Sequence, residues 1–451
     1  MGRTAAMNVI LISLDDAVAF WNYKSIFGEA LQTPNLDRIC AQSTAFHAAY
    51  CQAPVCSPSR ASFMSGKSPH QTGVTASDKN YFDKIPPESM WPYLLKQNGY
   101  FCSSGGKVMR GFAPLPGDIH DTLYSDRRRR FKSARRKRFY DSETMPGPDK
   151  QVELGGFRGG LATVNEEEDQ DYYDYQVADS AELFLGRYSR DAPFYREVGF
   201  AGTHGPWMTP LRFKEMYRVK SIQKPEAWKA GFGESAFMEL NYPGNIDNSR
   251  LKFWKNSVRN YFSALTHTDL HLGRVWDAIK ASPHADNTLV VILSDHRLHL
   301  GERNRFRKHT LWEQVANVPL IIHDPRRPRE QVVNDPVALM DIGPTVMEYL
   351  GLPPLADCVG RSLVPQMEGE SVPDRAVPTF LEQSAGIRKG KFRFIRYGDG
   401  TTQLYDLSAD WWQTKELGPD HPDHAAMRAA HAACCKEYGF DVERAEKQGR
   451  P

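Results

Sequence analysis

Residues 8–14, NVILISL, form an unbroken apolar run of strand length that ends in two aspartates, Asp15 and Asp16. A strand without a polar face predicts burial on both sides, as in a parallel sheet. Residues 193–200 (PFYREVGF) and 287–294 (NTLVVILS) predict further buried strands. Between them, residues 249–281 read as a long, mostly polar helix. Shorter helices are expected at 34–43, opened by Thr33-Pro34, from Ser59 onward, and at 88–97. Strands alternating with helices predict an α/β fold, a doubly wound domain with a mostly parallel sheet. Such sheets gather ligands beyond the carboxyl ends of their strands, which is where Asp15 and Asp16 fall. A turn or helix cap would account for that pair equally well on its own.

Near residue 370 the character changes. Residues 391–397 (KFRFIRY) alternate, GDGTT supplies a turn, and QLYDL alternates again. This predicts an α/β domain over 1–370 and a small C-terminal subdomain over 371–451, built on an antiparallel hairpin and a helix at 423–438. Residues 105–190 are poor in periodicity and rich in charge, and read as insertions on the ligand-bearing face. They contain the basic run RRRRFKSARRKR at 127–138 and acidic residues Glu166, Glu167, Glu168, Asp169, Asp171 and Asp174. Solvated loops explain both stretches; a basic rim attracting an anionic substrate, or nuclear targeting, are the sharper readings.

Composition narrows the class. The 451 residues are 41% hydrophobic and 25% charged, enough for a large core, and a net charge of +2 gives no sign of a nucleic-acid or membrane partner. No stretch approaches the ~20 apolar residues of a membrane span. As written, the chain reads as cytoplasmic; a leader removed from it would make it periplasmic or secreted. Seven scattered cysteines, two of them vicinal at Cys434 and Cys435, suggest neither a disulfide framework nor a zinc ribbon.

The chemistry concentrates at APVCSPSRASFMSG, which contains Cys56-Ser57-Pro58-Ser59-Arg60. Taken alone, Cys56 is a small thiol at a helix start. C-x-P-S-R, however, resembles the signature at which type I sulfatases, in the alkaline-phosphatase-like superfamily, have a cysteine oxidised to formylglycine. Other segments in the family's order extend the resemblance over most of the chain, and the pattern is most similar to iduronate-2-sulfatase-like enzymes. The resemblance implies a large, mostly parallel sheet flanked by helices, with an antiparallel sheet in a smaller C-terminal subdomain. It also implies hydrolysis of a sulfate ester, here of a sulfated small molecule or oligosaccharide, and a formylglycine-generating or sulfatase-maturating enzyme as partner. A hydrated formylglycine carries two geminal hydroxyls: one attacks sulfur, and the other later loses its proton and expels sulfate, restoring the aldehyde. Serine would remain as a stable sulfate ester. With residue 56 placed just before a helix, the first backbone N–H groups of that helix would turn partial positive charge towards the anion.

By the same resemblance, Asp15, Asp16, Asp295 and His296 are the ligands of one calcium ion. Carboxylate oxygens suit that hard cation. His296 is softer than the asparagine of many sulfatases, and the iduronate-2-sulfatase-like branch also carries histidine there. Such a cation neutralises the sulfate and activates the attacking hydroxyl. Lys107 in GGKVM and Lys308 in RFRK correspond to the sulfate-binding lysines, and His204 in GTHGPW to the histidine that assists the leaving group. Arg60 is expected to support formylglycine and the ligand cluster. Each of these residues has an ordinary structural explanation by itself; positive charge around a sulfuryl group gives them a joint one.

Two positions depart from the pattern. Arg110 stands where the family has histidine, and Arg297 replaces the glycine after Asp-His. Both are assigned to substrate binding, because arginine holds sulfate or carboxylate bidentately. Arg297 must point away or enter the pocket, and in the pocket it would favour a doubly anionic substrate. Asp341 and Pro344 read as structural turn and helix-start residues, and Trp411 and Trp412 as core rather than sugar-binding residues. Two other activities remain open: phosphonate monoester or phosphodiester hydrolysis with the same nucleophile, and a catalytically silent protein that binds sulfated ligands. A zinc enzyme of the alkaline-phosphatase type is disfavoured, since its zinc-ligand histidines are not evident.

Overall fold

The computed structural model describes residues 6–78, 80–109, 111–131, 151–157, 161–164 and 166–449. Arg110, residues 132–138 of the basic run, and the side chains of Glu166, Glu167 and Glu168 lie outside what is described. Seven strands form the central sheet: β1 (Asn8–Leu14), β2 (Thr44–Phe46), β3 (Phe101–Ser103), β4 (Phe194–Phe200), β5 (Thr288–Ser294), β6 (Leu320–His323) and β7 (Gln331–Val333). Their order is β7-β2-β6-β5-β1-β4-β3. β1 runs parallel to β4 and β5, and β6 alone runs against its neighbours β5 and β2. The β1–β5 register ends at Leu14 opposite Ser294, so Asp15 and Asp295 emerge side by side.

Every residue of β1, β4 and β5 is buried. Alternation divides their side chains between two cores. Ile10, Ile12 and Leu14 face one with Val290 and Ile292, while Val9 and Leu11 face the other with Leu289, Val291 and Leu293. Helix α1 (Cys56–Ser65) covers the second core through Ala61, Phe63 and Met64. Helices α2 (Tyr173–Arg187) and α3 (Leu251–Ala281) cover the first through Val177, Ala181, Val258 and Leu272. Each such valine, leucine, phenylalanine or methionine contributes roughly 1.5–3 kcal/mol by leaving water.

Several boundaries differ from the sequence reading. α1 begins at Cys56 rather than Ser59, with Val55 extended before it and Gly66 closing it at φ 71. A side chain at position 66 would meet Cys358 Sγ at 2.5 Å, so glycine is required there for space as well as conformation. α3 is mostly buried despite its polar sequence, because partners elsewhere satisfy it. Asp269, for example, accepts hydrogen bonds from the main-chain N–H groups of Asn35 and Leu36, capping the helix Pro34–Cys40. The stretch 105–190 is not wholly insertion, since α2 packs in the core beside α3 and β4.

The C-terminal sheet has four antiparallel strands, β8 (Val377–Leu381), β9 (Ser384–Lys389), β10 (Phe392–Arg396) and β11 (Thr402–Asp406), in sequence order. Only the last pair was legible as a hairpin. Pro378 concealed β8, and its place on an edge strand is what makes a proline tolerable. Helix α4 (His424–Glu437) packs on this sheet. Trp412 is buried against Phe27 and Trp228 in the first core. Among the described residues, no helix is long and apolar enough to cross a membrane.

Candidate active site

Cys56 is the first helical residue of α1, and no side chain caps that end. Its thiol therefore sits where the first N–H groups of a helix lack internal partners. Lys308 Nζ and His296 Nε2 each stand 3.2 Å from Cys56 Sγ, and 3.3 Å from each other. The Ser59 hydroxyl, one turn on, donates to the main-chain carbonyl of Asp295 at 2.5 Å.

Behind the thiol lie three buried carboxylates. Asp16 has φ 62, and its Oδ1 lies 2.9 Å from His296 Nδ1 and 3.3 Å from Lys308 Nζ. Its main-chain N–H donates to Asp295 Oδ1 at 3.2 Å, and its carbonyl accepts from the Tyr261 hydroxyl at 2.8 Å. Asp15 pairs with Lys107, and its carbonyl accepts from the Thr203 hydroxyl. Arg60, wholly buried, spans the cluster: Nε and Nη2 reach Asp295 Oδ2 at 3.0 and 2.9 Å, and Nη2 reaches Asp15 Oδ1 at 3.3 Å. Its Nη1 donates to the carbonyls of Lys107 and Val108. Lys107 is brought in by a close backbone crossing, because a side chain on Gly199 would meet the Lys107 main chain at 2.3 Å.

His204 stands at the rim, with Nδ1 2.8 Å from the Gly205 carbonyl and Nε2 3.8 Å from Asp16 Oδ2. Arg297 is a correction to the expected pocket. It is fully buried and turned away from Cys56, with Nη1 donating to the Asn317 carbonyl at 2.9 Å and Nη2 to the Tyr23 hydroxyl at 2.8 Å. Its guanidinium lies over the Tyr23 ring, so it anchors the start of the loop that carries His296 and Lys308.

Electrostatics follow from this packing. Burial would raise the Cys56 thiol, but Lys308, His296 and Lys107 outweigh it and hold the thiol well below its usual range. Burial acts likewise on Asp15 and Asp16; Lys107 lowers the first and Lys308 the second, with His204 assisting in both cases. Asp295 goes the other way, raised to about 6 chiefly by burial. His296 is raised to about 10 against the effect of burial, with the Asp295 carboxylate as the main cause.

The three carboxylates offer the oxygen donors that suit a hard divalent cation. Asp15, Cys56, Asp295 and His296 present ligand atoms all within 4.8 Å of one another, and so do Asp15, Asp16 and His204. Asp15 Oδ1 is buried without a hydrogen bond, an oxygen whose remaining lone pairs a cation would satisfy.

A model of the family described as Sulfatase matches residues 7–352. A sulfatase of Formosa agariphila is 30% identical over 89% of this chain and 81% of its own length. The chain belongs to the sulfatase family. Within it, this sulfatase is 28% identical to choline-sulfatase of Rhizobium meliloti, over 93% of this chain and 85% of the relative. It is 27% identical to human iduronate 2-sulfatase, over 72% and 60%. The solved phosphonate monoester hydrolase of Agrobacterium radiobacter shares the fold, with a TM-score of 0.70 and 21% identity, covering 98% of this chain and 96% of that one. The protein is thus a sulfuric ester hydrolase of the type I, alkaline-phosphatase-like class.

Sequence reading passed over three residues that this sulfatase places in or beside the cluster. Thr203 adjoins His204 in GTHGPW and supports Asp15. Arg307 and His309 flank Lys308 and share a cavity with it. Adjacency to an assigned residue was the one signal available for each.

Proposed function

We propose that this sulfatase hydrolyses the sulfate ester of a saccharide, using a formylglycine derived from Cys56 and one calcium ion held by Asp15, Asp16, Asp295 and His296. The observation that carries this reading is the approach of Lys308 and His296 to Cys56 at 3.2 Å, at a helix start beside three carboxylates. The name of the iduronate 2-sulfatase relative supports a sugar substrate.

Formylglycine supplies a geminal diol whose first hydroxyl attacks sulfur and whose second permits release of sulfate. Calcium, when bound, supplies positive charge that neutralises the sulfate and favours the ionised nucleophile. The rest falls to the chain's own groups. Lys107 and Lys308 donate to sulfate oxygens, and the first N–H groups of α1 add partial positive charge. Arg60 keeps Asp15 and Asp295 together and leaves their other faces to the site. As the ester S–O bond breaks, the leaving oxygen takes a proton from His204. With Nδ1 occupied by the Gly205 carbonyl, Nε2 is the nitrogen that carries it. Arg297, turned away, does not obstruct this site.

Peptide mass spectrometry over residues 51–60, together with paired kinetics on an aryl sulfate and an aryl phosphonate monoester, tests the reading. Conversion of the thiol to an aldehyde and a kcat/KM favouring the sulfate are expected. Turnover by protein whose Cys56 is still a thiol would overturn the nucleophile, and a phosphonate preference would overturn the substrate.

A further inference from the structure

A cavity of about 360 Å3 opens beside the catalytic cluster, with Asp16, His204 and Lys308 among its lining residues. That size lies within the roughly 300–1,000 Å3 of ordinary small-molecule sites. Phe157, Trp207 and Phe306 give it flat apolar walls: Phe157 stacks on Phe306 at 5.5 Å, and Trp207 lies 6.0 Å from both. A second cavity, about 60 Å3, also touches His204 but is lined by neither Asp16 nor Lys308. The larger cavity is therefore the one placed to hold the part of the substrate attached to the sulfate.

Arg307 and His309 also line it. His309 is held at φ 66, against the usual preference of a residue with a side chain, and its ring stacks parallel on Tyr242 at 5.9 Å. Arg307 donates from Nη1 to the Pro243 carbonyl at 3.0 Å. Its neighbours in sequence are charge-compensated: Arg303 pairs with Glu234, and Arg305 with Glu234 and Glu239. Among the described residues, no carboxylate comes within ion-pair reach of Arg307, which is half-buried. A half-buried guanidinium without an acid, lining a cavity shared with the sulfate-facing lysine, calls for negative charge from the ligand.

We propose that Arg307 selects a substrate whose alcohol part carries a second anionic group, a carboxylate or another sulfate, and that the aromatic walls hold the ring bearing it. This rests on the sulfatase reading above. It also reassigns to Arg307 the selectivity that Arg297, buried elsewhere, does not provide.

Paired phenyl sulfates test it without dependence on sugar regiochemistry. The full chain, with Cys56 oxidised, is assayed on 4-(hydroxymethyl)phenyl sulfate, 4-carboxyphenyl sulfate and 1,4-phenylene disulfate. The wild type is expected to favour at least one anionic substrate by about tenfold in kcat/KM, the size of one charge-assisted hydrogen bond. Whichever anionic substrate leads identifies the group Arg307 takes. Arg307→Leu should bring that ratio close to one, and Arg307→Lys should keep part of it. A wild type without preference, or an Arg307→Leu variant that retains it, overturns the assignment. Turnover itself separates the two readings: hydrolysis of none of the three substrates by the oxidised wild type overturns the sulfatase chemistry and the selectivity with it, whereas equal turnover of all three overturns the selectivity alone.

Discussion

The Ser59 hydroxyl donates to the Asp295 main-chain carbonyl at 2.5 Å, tying the first turn of α1 to the end of β5. Both residues are buried, so this contact sets the distance between Cys56 and His296. Ser59→Ala is expected to cost about 1–2 kcal/mol, the usual loss when a buried carbonyl is left unpaired. A lowered urea midpoint at constant slope would register it, and an unmoved midpoint would dissolve the link. Conversion of Cys56 must be measured alongside, since Ser59 belongs to the modification signature.

Calcium should stabilise the fold as well as sustain turnover. At a hundredfold excess over its dissociation constant, a single bound ion adds about 2.7 kcal/mol. A rise in Tm with calcium, lost in Asp16→Asn and in His296→Ala, is expected. Identical melting with calcium and with chelator would remove the cation from the mechanism.

Arg297→Met is expected to weaken the fold and leave substrate preference alone. The change strands the Asn317 carbonyl and removes one of the two partners of the Tyr23 hydroxyl, which still donates to Glu302, at a cost of roughly 1–3 kcal/mol. Thermal unfolding and the phenyl sulfate ratios measure the two effects separately. A shift in those ratios would return Arg297 to the pocket.

Glu197 predicts a pH dependence of stability. It is buried, it accepts hydrogen bonds from the Tyr124 and Tyr195 hydroxyls at 2.8 and 2.9 Å, and burial lifts it from 4.5 to about 7. Between those values the folded chain retains a proton that the unfolded chain has released. This contribution to stability is therefore full below about pH 4.5 and is lost as pH rises through about 7. Glu197→Gln keeps an acceptor without the charge. Its Tm relative to wild type should improve from pH 5 to pH 8, by the equivalent of about 2–3 kcal/mol. An equal difference at both pH values would exclude Glu197 as the cause.

What could be read from the chain depended on how local its causes were. β1 and β5 are largely apolar runs, and their burial on both faces follows directly from that pattern, whereas β4 also buries Arg196 and Glu197, which find partners in Ser103, Ser104, Tyr124 and Tyr195. The start of α1 was misplaced because Ser59, a good cap by type, spends its hydroxyl on Asp295, far away in sequence. α2 was hidden by its charges. The burial of α3 depends on distant partners such as Asn35 and Leu36. The metal and lysine assignments came from a motif, whereas the direction of Arg297 depended on Tyr23 and Asn317, which no spacing rule connects to it. Arg307 sits in a basic stretch, and only the acids around Arg303 and Arg305 distinguish it.

The cluster around Cys56 is drawn from the beginning, the middle and the late part of the chain, with β1 and β5 adjacent in space but nearly three hundred residues apart. A polypeptide still under synthesis carries Cys56 well before Asp295, His296 and Lys308 have been made. An isolated amino-terminal fragment would therefore hold the cysteine without the side chains that surround it in the folded chain. Closure of the sheet between β1 and β5 is thus the step that assembles those surroundings.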